Sequence, residues 1–538
     1  CGKGDAGMRT LIRNGVVYDG TGASGFAADV LVQDDTIEAV APELDAEADE
    51  VLDTAGMAVT PGFIDTHRHC DTAALTDPDF GRIETAQGLT TIIGGNCGLA
   101  PLPVRPETAR QISDYIEPCL GPTPDTMRME HFHEYVDALD KTDKPLNIGS
   151  YVGIGTLRAA VKGYGRAPFT QKELDWARGY IDEAMQAGAV GLTTGIMYQP
   201  ECYSSRKEFV ELISAAAPYG RVLATHIRGE GDNLVPSVAE VIEIAKEAGV
   251  PLNISHFKVT GVKNWGKNIL EAIALIEKAR AAGQDVTADF YPYDGGSTTL
   301  VSLLPPTLMK DTMAETLAAL STAQGRADAR REIYADHPGW DNMVTAIGWE
   351  RIVISSVTKP ENRRFSNMNF AAAAKLAGYE EPTDFMCELL CDEDGKVGII
   401  LLSMDPKDVD TIARLPWSMI ISDSLYGISD CPHPRLYGSF PKVLRDFVRE
   451  RGVLTLPQAI HKMTAMPAAR LGLNDRGVIE VGRKADIAVF DPASIADHAT
   501  YDNPKQLCTG LRATLINGKI AVENDTLRRR DCGITIKK

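Results

Sequence analysis

Long apolar runs are missing from this 538-residue chain. The longest, among them Ile352 to Val357 and Val397 to Ser403, fall far short of the ~20 residues that a membrane-spanning helix needs, so no membrane association is expected. Cysteine is sparse: ten residues lie scattered from Cys1 to Cys532 without a repeated spacing, which excludes a disulfide scaffold and favours a reducing, cytoplasmic setting. Basic charge is in deficit, since 55 Lys and Arg against 74 Asp and Glu give a formal charge of −19. Such a surface repels a phosphate backbone, and nucleic acid is not an expected partner. Also missing are a Gly-x-Ser-x-Gly elbow and a Gly-rich loop followed by Lys-Ser or Lys-Thr, so nothing supports serine-triad or P-loop chemistry. No charged-then-apolar leader is found, because Cys1 to Gly7 are small, polar and Gly-rich. Met8 reads as the natural start. Gly2, Gly4 and Gly7 have a dinucleotide-site spacing but no strand before them, so a tail is expected there, with a mature lipoprotein beginning at Cys1 as the alternative.

What is present is an ordinary globular composition, 44% hydrophobic and 24% charged, which excludes disorder and fibres. From Met8 to about Val59, short β-branched runs alternate with turn pairs such as Asn14-Gly15, Asp19-Gly20 and Asp34-Asp35. The same style returns from about Gly477 to Ile520, in Gly477-Val478-Ile479, Ala485 to Phe490 and Leu515-Ile516-Asn517-Gly518. Neither end can bury a core alone, so the two are expected to meet in one small β domain, of sandwich type, from residues 8–59 and 471–538.

Residues 60–470 read differently. Strand candidates are Val59 to Asp65, Thr90 to Gly94, Leu146 to Val152, Ala189 to Thr194, Val222 to His226, Leu252 to His256, Asp285 to Phe290 and Ser418 to Ser422. Amphipathic stretches such as Gln171 to Ala187, Val238 to Ala248 and Asn268 to Ala282 lie between them. Eight strand-helix units predict an α/β fold, a (β/α)8 TIM-like barrel. A large insertion, about residues 297–417, separates the seventh and eighth strands and is too long for a loop.

Ligand-type residues sit where those strands end. His67 and His69 are two apart, so on an extended strand they project to the same side. Cys97 follows the second strand within Gly94-Gly95-Asn96-Cys97-Gly98. His226 and His256 close the fifth and sixth strands, and Asp423 follows the eighth. Each alone has a plain reading: an exposed His-x-His, a buried small hydrophobe, a satisfied core histidine, a turn aspartate. Six of them together at the end where barrel active sites lie favour a divalent metal.

At this point the chain resembles the amidohydrolase superfamily, and within it the D-aminoacylase (N-acyl-D-amino-acid deacylase) family. The matching stretches are PGFIDTHRH, TTIIGGNCGLAP, ATHIRGE, NISHFKVTG, NWG, DFYPYDGGST, HPRLYGSFPKVL, KMTAMPAARLGLNDRG and ADIAVFDP, from about Met8 to Gly533. The resemblance implies the amidohydrolase type of barrel and zinc-dependent hydrolysis of N-acyl-D-amino acids to a carboxylate and a free D-amino acid. It implies that Cys97, His226 and His256 hold one tightly bound Zn2+, while His67, His69 and Asp423 form a weaker adjoining site. Zinc with three protein ligands leaves a position for water and lowers its pKa towards ~7. Hydantoinases and dihydroorotases commonly use a carbamylated lysine on the fourth strand, but Ala189 to Thr194 offers none. Cys97 is the substitute, which argues against the cyclic-amide branch.

Asp423 is the candidate general base and acid, taking a proton from water and delivering it to the leaving amine. The substrate carboxylate needs local cations: Lys258 shares its strand side with His256, and Arg435 can clamp a carboxylate in bidentate fashion. The resemblance adds Tyr291, Ser297 and Tyr198 to that pocket. The chain departs from the family pattern at Arg68 and Cys70, and Cys202-Tyr203 replaces a Gly-containing segment expected near the substrate side chain. Cys431-Pro432-His433 is expected to be structural. Competing readings are another amidohydrolase acting on a different linear or a cyclic amide, and a noncatalytic barrel homologue. A monomer or small homo-oligomer is expected.

Overall fold

The computed structural model describes residues 7–124, 127–427 and 429–538, without the side chain of Tyr115. The expected tail thus falls almost wholly outside the described residues. Eight short parallel strands follow one another in chain order: Phe63–Asp65, Leu89–Gly94, Asn147–Ser150, Gly191–Gly195, Val222–His226, Leu252–Ile254, Val286–Phe290 and Ser418–Ile420. The first three pair in sequence, as do the fourth to the eighth. Third and fourth join through Val152–Gly153, which pairs with Leu192 and Thr193. The eighth returns to the first, because Asp423 N–H donates to the His67 carbonyl at 2.9 Å and Ser424–Leu425 pairs with Arg68–His69. The strands therefore form a closed ring. Their near-continuous burial is what parallel strands covered on both faces require.

Helices cover the outside for readable reasons. Gln171–Gln186 begins with a capping box between Thr170 and Glu173 and buries Leu174, Ala177, Tyr180, Ile181, Ala184 and Met185 on one stripe. Leu234–Ala248 ends at Gly249, whose φ of 71° is left-handed. Inside the ring, Ile64, Ile93, Tyr151, Val190 and Val222 pack with Ile536 and Leu471 into an apolar cluster.

The two ends of the chain build one nine-stranded sheet, in which Ala58–Pro61 pairs antiparallel with Ile487–Phe490. It has its own apolar core, including Ile12, Val30, Val59, Ile487 and Leu515. Asn517 and Gly518, at φ 46° and 76°, turn the hairpin from Leu511–Ile516 to Lys519–Glu523 as expected.

Four local expectations are corrected. Asn14-Gly15 is a bulge within Arg9–Val17, not a turn: the register against Phe26–Gln33 shifts there. Gly477-Val478-Ile479 is no strand; only Ile479 enters the core. The run Val59 to Asp65 is two strands, because the chain passes from the terminal sheet to the ring at Gly62. A Cβ there would meet Thr90 at 2.1 Å, so only glycine fits. Finally, the sixth strand stops at Ile254, two residues before His256.

The segment between the seventh and eighth strands carries a three-stranded sheet, Gly296–Thr299 and Ile352–Ser356 flanking Gly398–Leu401. Its helices close a separate core around Ile333, Ile354, Phe370 and Phe385.

Candidate metal centre

The ends of the first, second, fifth, sixth and eighth strands bring His67, His69, Cys97, His226, His256 and Asp423 together, all buried. One donor atom from each of Cys97, His226 and His256 lies within 4.8 Å of the others, and the same holds for His67, His69, Cys97 and Asp423. Metal–ligand lengths of about 2.0–2.3 Å let either group share an ion. Cys97 belongs to both: its Sγ is 3.2 Å from His67 Nε2 and 3.4 Å from His256 Nε2. Asp423 Oδ1 stands 3.3 Å from Nε2 of both His67 and His69. The exposed reading of His67 and His69 is thereby excluded.

Local sequence explains how these atoms are aimed. Cys97, His256 and Asp423 have φ of 54°, 36° and 52°, a left-handed backbone that a cysteine or histidine adopts at a cost. Gly95 and Gly98 flank Cys97, and a Cβ on Gly95 would meet the Tyr151 carbonyl oxygen at 2.4 Å. Asn96 Nδ2 donates to the Ile93 carbonyl at 2.9 Å and holds the loop. The His256 N–H donates to the Asp289 carboxylate.

Burial holds the imidazoles of His67, His226 and His256 well below their usual range. Burial, with the Asp423 carboxylate, pushes the Cys97 thiol far up. Both ring nitrogens of His226, and Nδ1 of His67 and His69, are buried without a hydrogen-bond partner. Each such orphan costs about 1–3 kcal/mol. Neutral imidazole nitrogens, a thiol that only a nearby cation would ionise and a carboxylate are a donor set that fits a divalent metal ion. A further donor group, His131, His133 and Glu183, lies away from this cavity and is mostly exposed.

The expected substrate residues all line the cavity around these donors. Lys258 Nζ is less free than its strand position implies: it lies 2.5 Å from Glu230 Oε1 and 2.8 Å from His256 Nδ1. Burial opposes its charge, but the Glu230 carboxylate raises its pKa overall. Arg435 Nη1 pairs with Asp423 Oδ2 at 2.8 Å, while its buried Nε donates to nothing. Burial opposes ionisation of Asp423, yet Arg435 and the histidines hold its carboxyl well below the carboxylate range. The Tyr291 hydroxyl is buried and unpartnered, with the Arg435 guanidinium 4.8 Å from its ring centre. Ser297 Oγ donates to the Ile399 carbonyl at 3.3 Å. The Tyr198 ring is 4.7 Å from that of His226.

Two acids were missed by the sequence reading. Glu230 closes the ATHIRGE stretch and holds Lys258, with His256 Nδ1 at 3.0 Å. Asp289 accepts from the His256 N–H and, at 2.5 Å, from Asn253 Nδ2; burial lifts it to about 7. A carboxylate inside the buried-type run Val286–Phe290 was the available signal for Asp289. Arg68 is buried and paired with Asp65 and Glu84, and Cys70 joins the core. His433 is structural, as expected: Nε2 contacts the Gly295 carbonyl at 2.8 Å and Nδ1 accepts from Arg435 N–H at 3.0 Å.

Buried strand-end donors of this kind make a candidate metal-binding centre. The Amidohydrolase family model matches residues 50–322 and 361–522. A D-aminoacylase of Alcaligenes xylosoxydans xylosoxydans is 34% identical, covering 94% of this chain and 93% of its own. An N-acyl-D-glutamate deacylase of the same organism is also 34% identical, covering 94% and 92%. The crystal structure of N-acyl-D-glutamate deacylase from Bordetella bronchiseptica, complexed with zinc and a phosphonate inhibitor, superposes with a TM-score of 0.84 at 32% identity, covering 99% of this chain and 100% of that one. The chain belongs to the amidohydrolase family, in its D-aminoacylase branch. Among the described residues no helix is long and apolar enough to cross a membrane.

Proposed function

We propose that this chain hydrolyses N-acyl-D-amino acids to a carboxylate and a free D-amino acid, with zinc as its metal. The observation that carries the reading is the meeting of Cys97, His226 and His256 within common reach. These three would hold the tight ion, and His67, His69 and Asp423 would complete an adjoining site around the shared thiolate. When bound, zinc supplies Lewis acidity that acidifies water and polarises the acyl carbonyl.

The chain's own groups do the rest. Asp423, kept ionised by Arg435 and the histidines, receives the proton of the attacking water. It returns that proton to the amine nitrogen, without which an amide anion would have to leave. The buried Tyr291 hydroxyl and Arg435 Nε, both without partners, and Ser297 receive the carboxylate. Lys258, fixed by Glu230, adds positive charge beside them. Tyr198 packs on His226 and closes the opposite side. This reading includes a (β/α)8 barrel over about 60–470 with the inserted unit at 297–417. It also includes a separate sandwich-type domain from 8–59 and 471–538, a cytoplasmic setting, and a monomer or small homo-oligomer. The test is release of free amino acid from N-acetyl-D-, N-acetyl-L- and hydantoin substrates by protein of measured zinc content. Turnover of the D substrates alone is expected; turnover confined to L or hydantoin substrates would overturn the reading.

A further inference from the structure

A cavity of about 130 Å³ opens beside the donor-lined one, and the two share Leu99, Cys119, Met197, Tyr198, Thr298 and Ser302. One water needs only about 10–15 Å³ of such space, so the room is for part of a ligand. Its walls are soft and apolar: besides Leu99 and Met197 they include Val301, Leu304, Met309 and Met313. Methionines adapt to differently shaped apolar groups. Cys202 and Tyr203, where this sequence leaves its family's pattern, also line it.

Acidic charge predominates there. Among the described lining residues, Lys396 is the cation, and it is committed to Glu117 at 2.7 Å. Asp114 and Asp394 face the same space. Arg166 lies outside the lining, 5.1 Å from the Tyr203 ring centre, with Nη2 donating to the carbonyls of Pro306 and Met309. The buried polar atom left without a partner in the lining, Gln199 Oε1, is neutral, and the Tyr203 hydroxyl is engaged with Arg166. A carboxylate entering this cavity would lose its hydration, meet no unpaired cation among the described lining residues and face Asp394, with Asp114 already paired to Arg110 at 2.9 Å.

Resting on the deacylase reading, we infer that this cavity is the subsite for the substrate's D-side chain and that it takes large apolar side chains, not acidic ones. The chain order assigns the occupant. Ser297 stands with the proposed carboxylate-binding groups, and of the residues that follow it Thr298, Thr299, Val301 and Ser302 line the apolar cavity. The group bonded to the same carbon as the carboxylate is the side chain, whereas the acyl group lies beyond the amide.

The experiment measures kcat/KM for N-acetyl derivatives of D-Ala, D-Leu, D-Phe, D-Glu and D-Asp, and for N-hexanoyl-D-Ala, on zinc-quantified wild type. D-Leu should exceed D-Ala by about 60-fold, from roughly fourfold for each of three buried carbons, and should exceed D-Glu by about 100-fold or more. Met309→Arg, a change on a half-buried loop, should raise the Glu-to-Leu ratio at least about tenfold. Preference for D-Glu or D-Asp, equal rates for D-Ala, D-Leu and D-Phe, a gain that follows acyl length, or a ratio unmoved by Met309→Arg would each overturn the subsite while leaving the deacylase reading intact. Absence of release from every substrate would overturn that reading, and the subsite with it.

Discussion

The terminal sheet and the mouth of the ring both contain residues with left-handed backbone, but of different kinds. In the sheet the positions are Asn14, Asp34, Asn517, Asn524 and Asp525, whose short polar side chains tolerate that conformation locally. At the mouth they are Cys97, His256 and Asp423. The sheet therefore spends such geometry on turns and bulges with residues suited to it. The mouth holds a cysteine and a histidine there, both members of the clustered donor groups; under the proposed function, conformational cost accompanies function.

Asp423→Asn keeps the shape and the metal content near normal but should lower kcat by about 10²- to 10⁴-fold; undiminished turnover would show that Asp423 moves no proton. Cys97→Ala removes the atom common to both donor groups, and bound zinc, read by elemental analysis after dialysis, should fall at least about tenfold. Glu201, buried behind Cys97 and accepting from the Gly195 N–H at 2.9 Å, is a third handle. Burial lifts its carboxyl from 4.5 to about 8. The folded state thus keeps a proton that the unfolded chain gives up, and its contribution is full below pH 4.5 and lost as pH rises through 8. Metal-depleted protein should lose stability over that window by at most about 1.4 kcal/mol per pH unit from this group, and Glu201→Gln should flatten that part of a urea-midpoint profile. The smallest effect isolates the backbone: metal-free Cys97→Gly should be about 1 kcal/mol more stable than metal-free Cys97→Ala, whereas Asp34→Gly should leave turnover unchanged.

Legibility in the sequence followed the range of the interaction. His226 and His256 could be read because each follows an apolar run at the same remove, and Asn517-Gly518 because its turn is encoded by two adjacent residues. Asn14-Gly15 looks identical in one dimension, yet becomes a bulge because Arg9–Val17 continues to pair with Phe26–Gln33 on both sides of it. Glu230 gave no local signal as a site residue and Asp289 only its place in a buried-type run, because their roles are made by partners 28 and 33 residues away, Lys258 with Glu230 and His256 with Asp289. Likewise, the engagement of Arg435 with Asp423 depends on how the eighth strand's end meets the following helix, Arg435–Lys442.

At Gly62 the chain leaves one β-structure and enters the next within a single residue, whose N–H donates to the Asp486 carbonyl at 2.8 Å. No linker intervenes to act as a pivot. A pull on the sheet is therefore felt directly by the strand that leads to His67 and His69, and excising the catalytic portion at that junction would cut a shared girder rather than a tether.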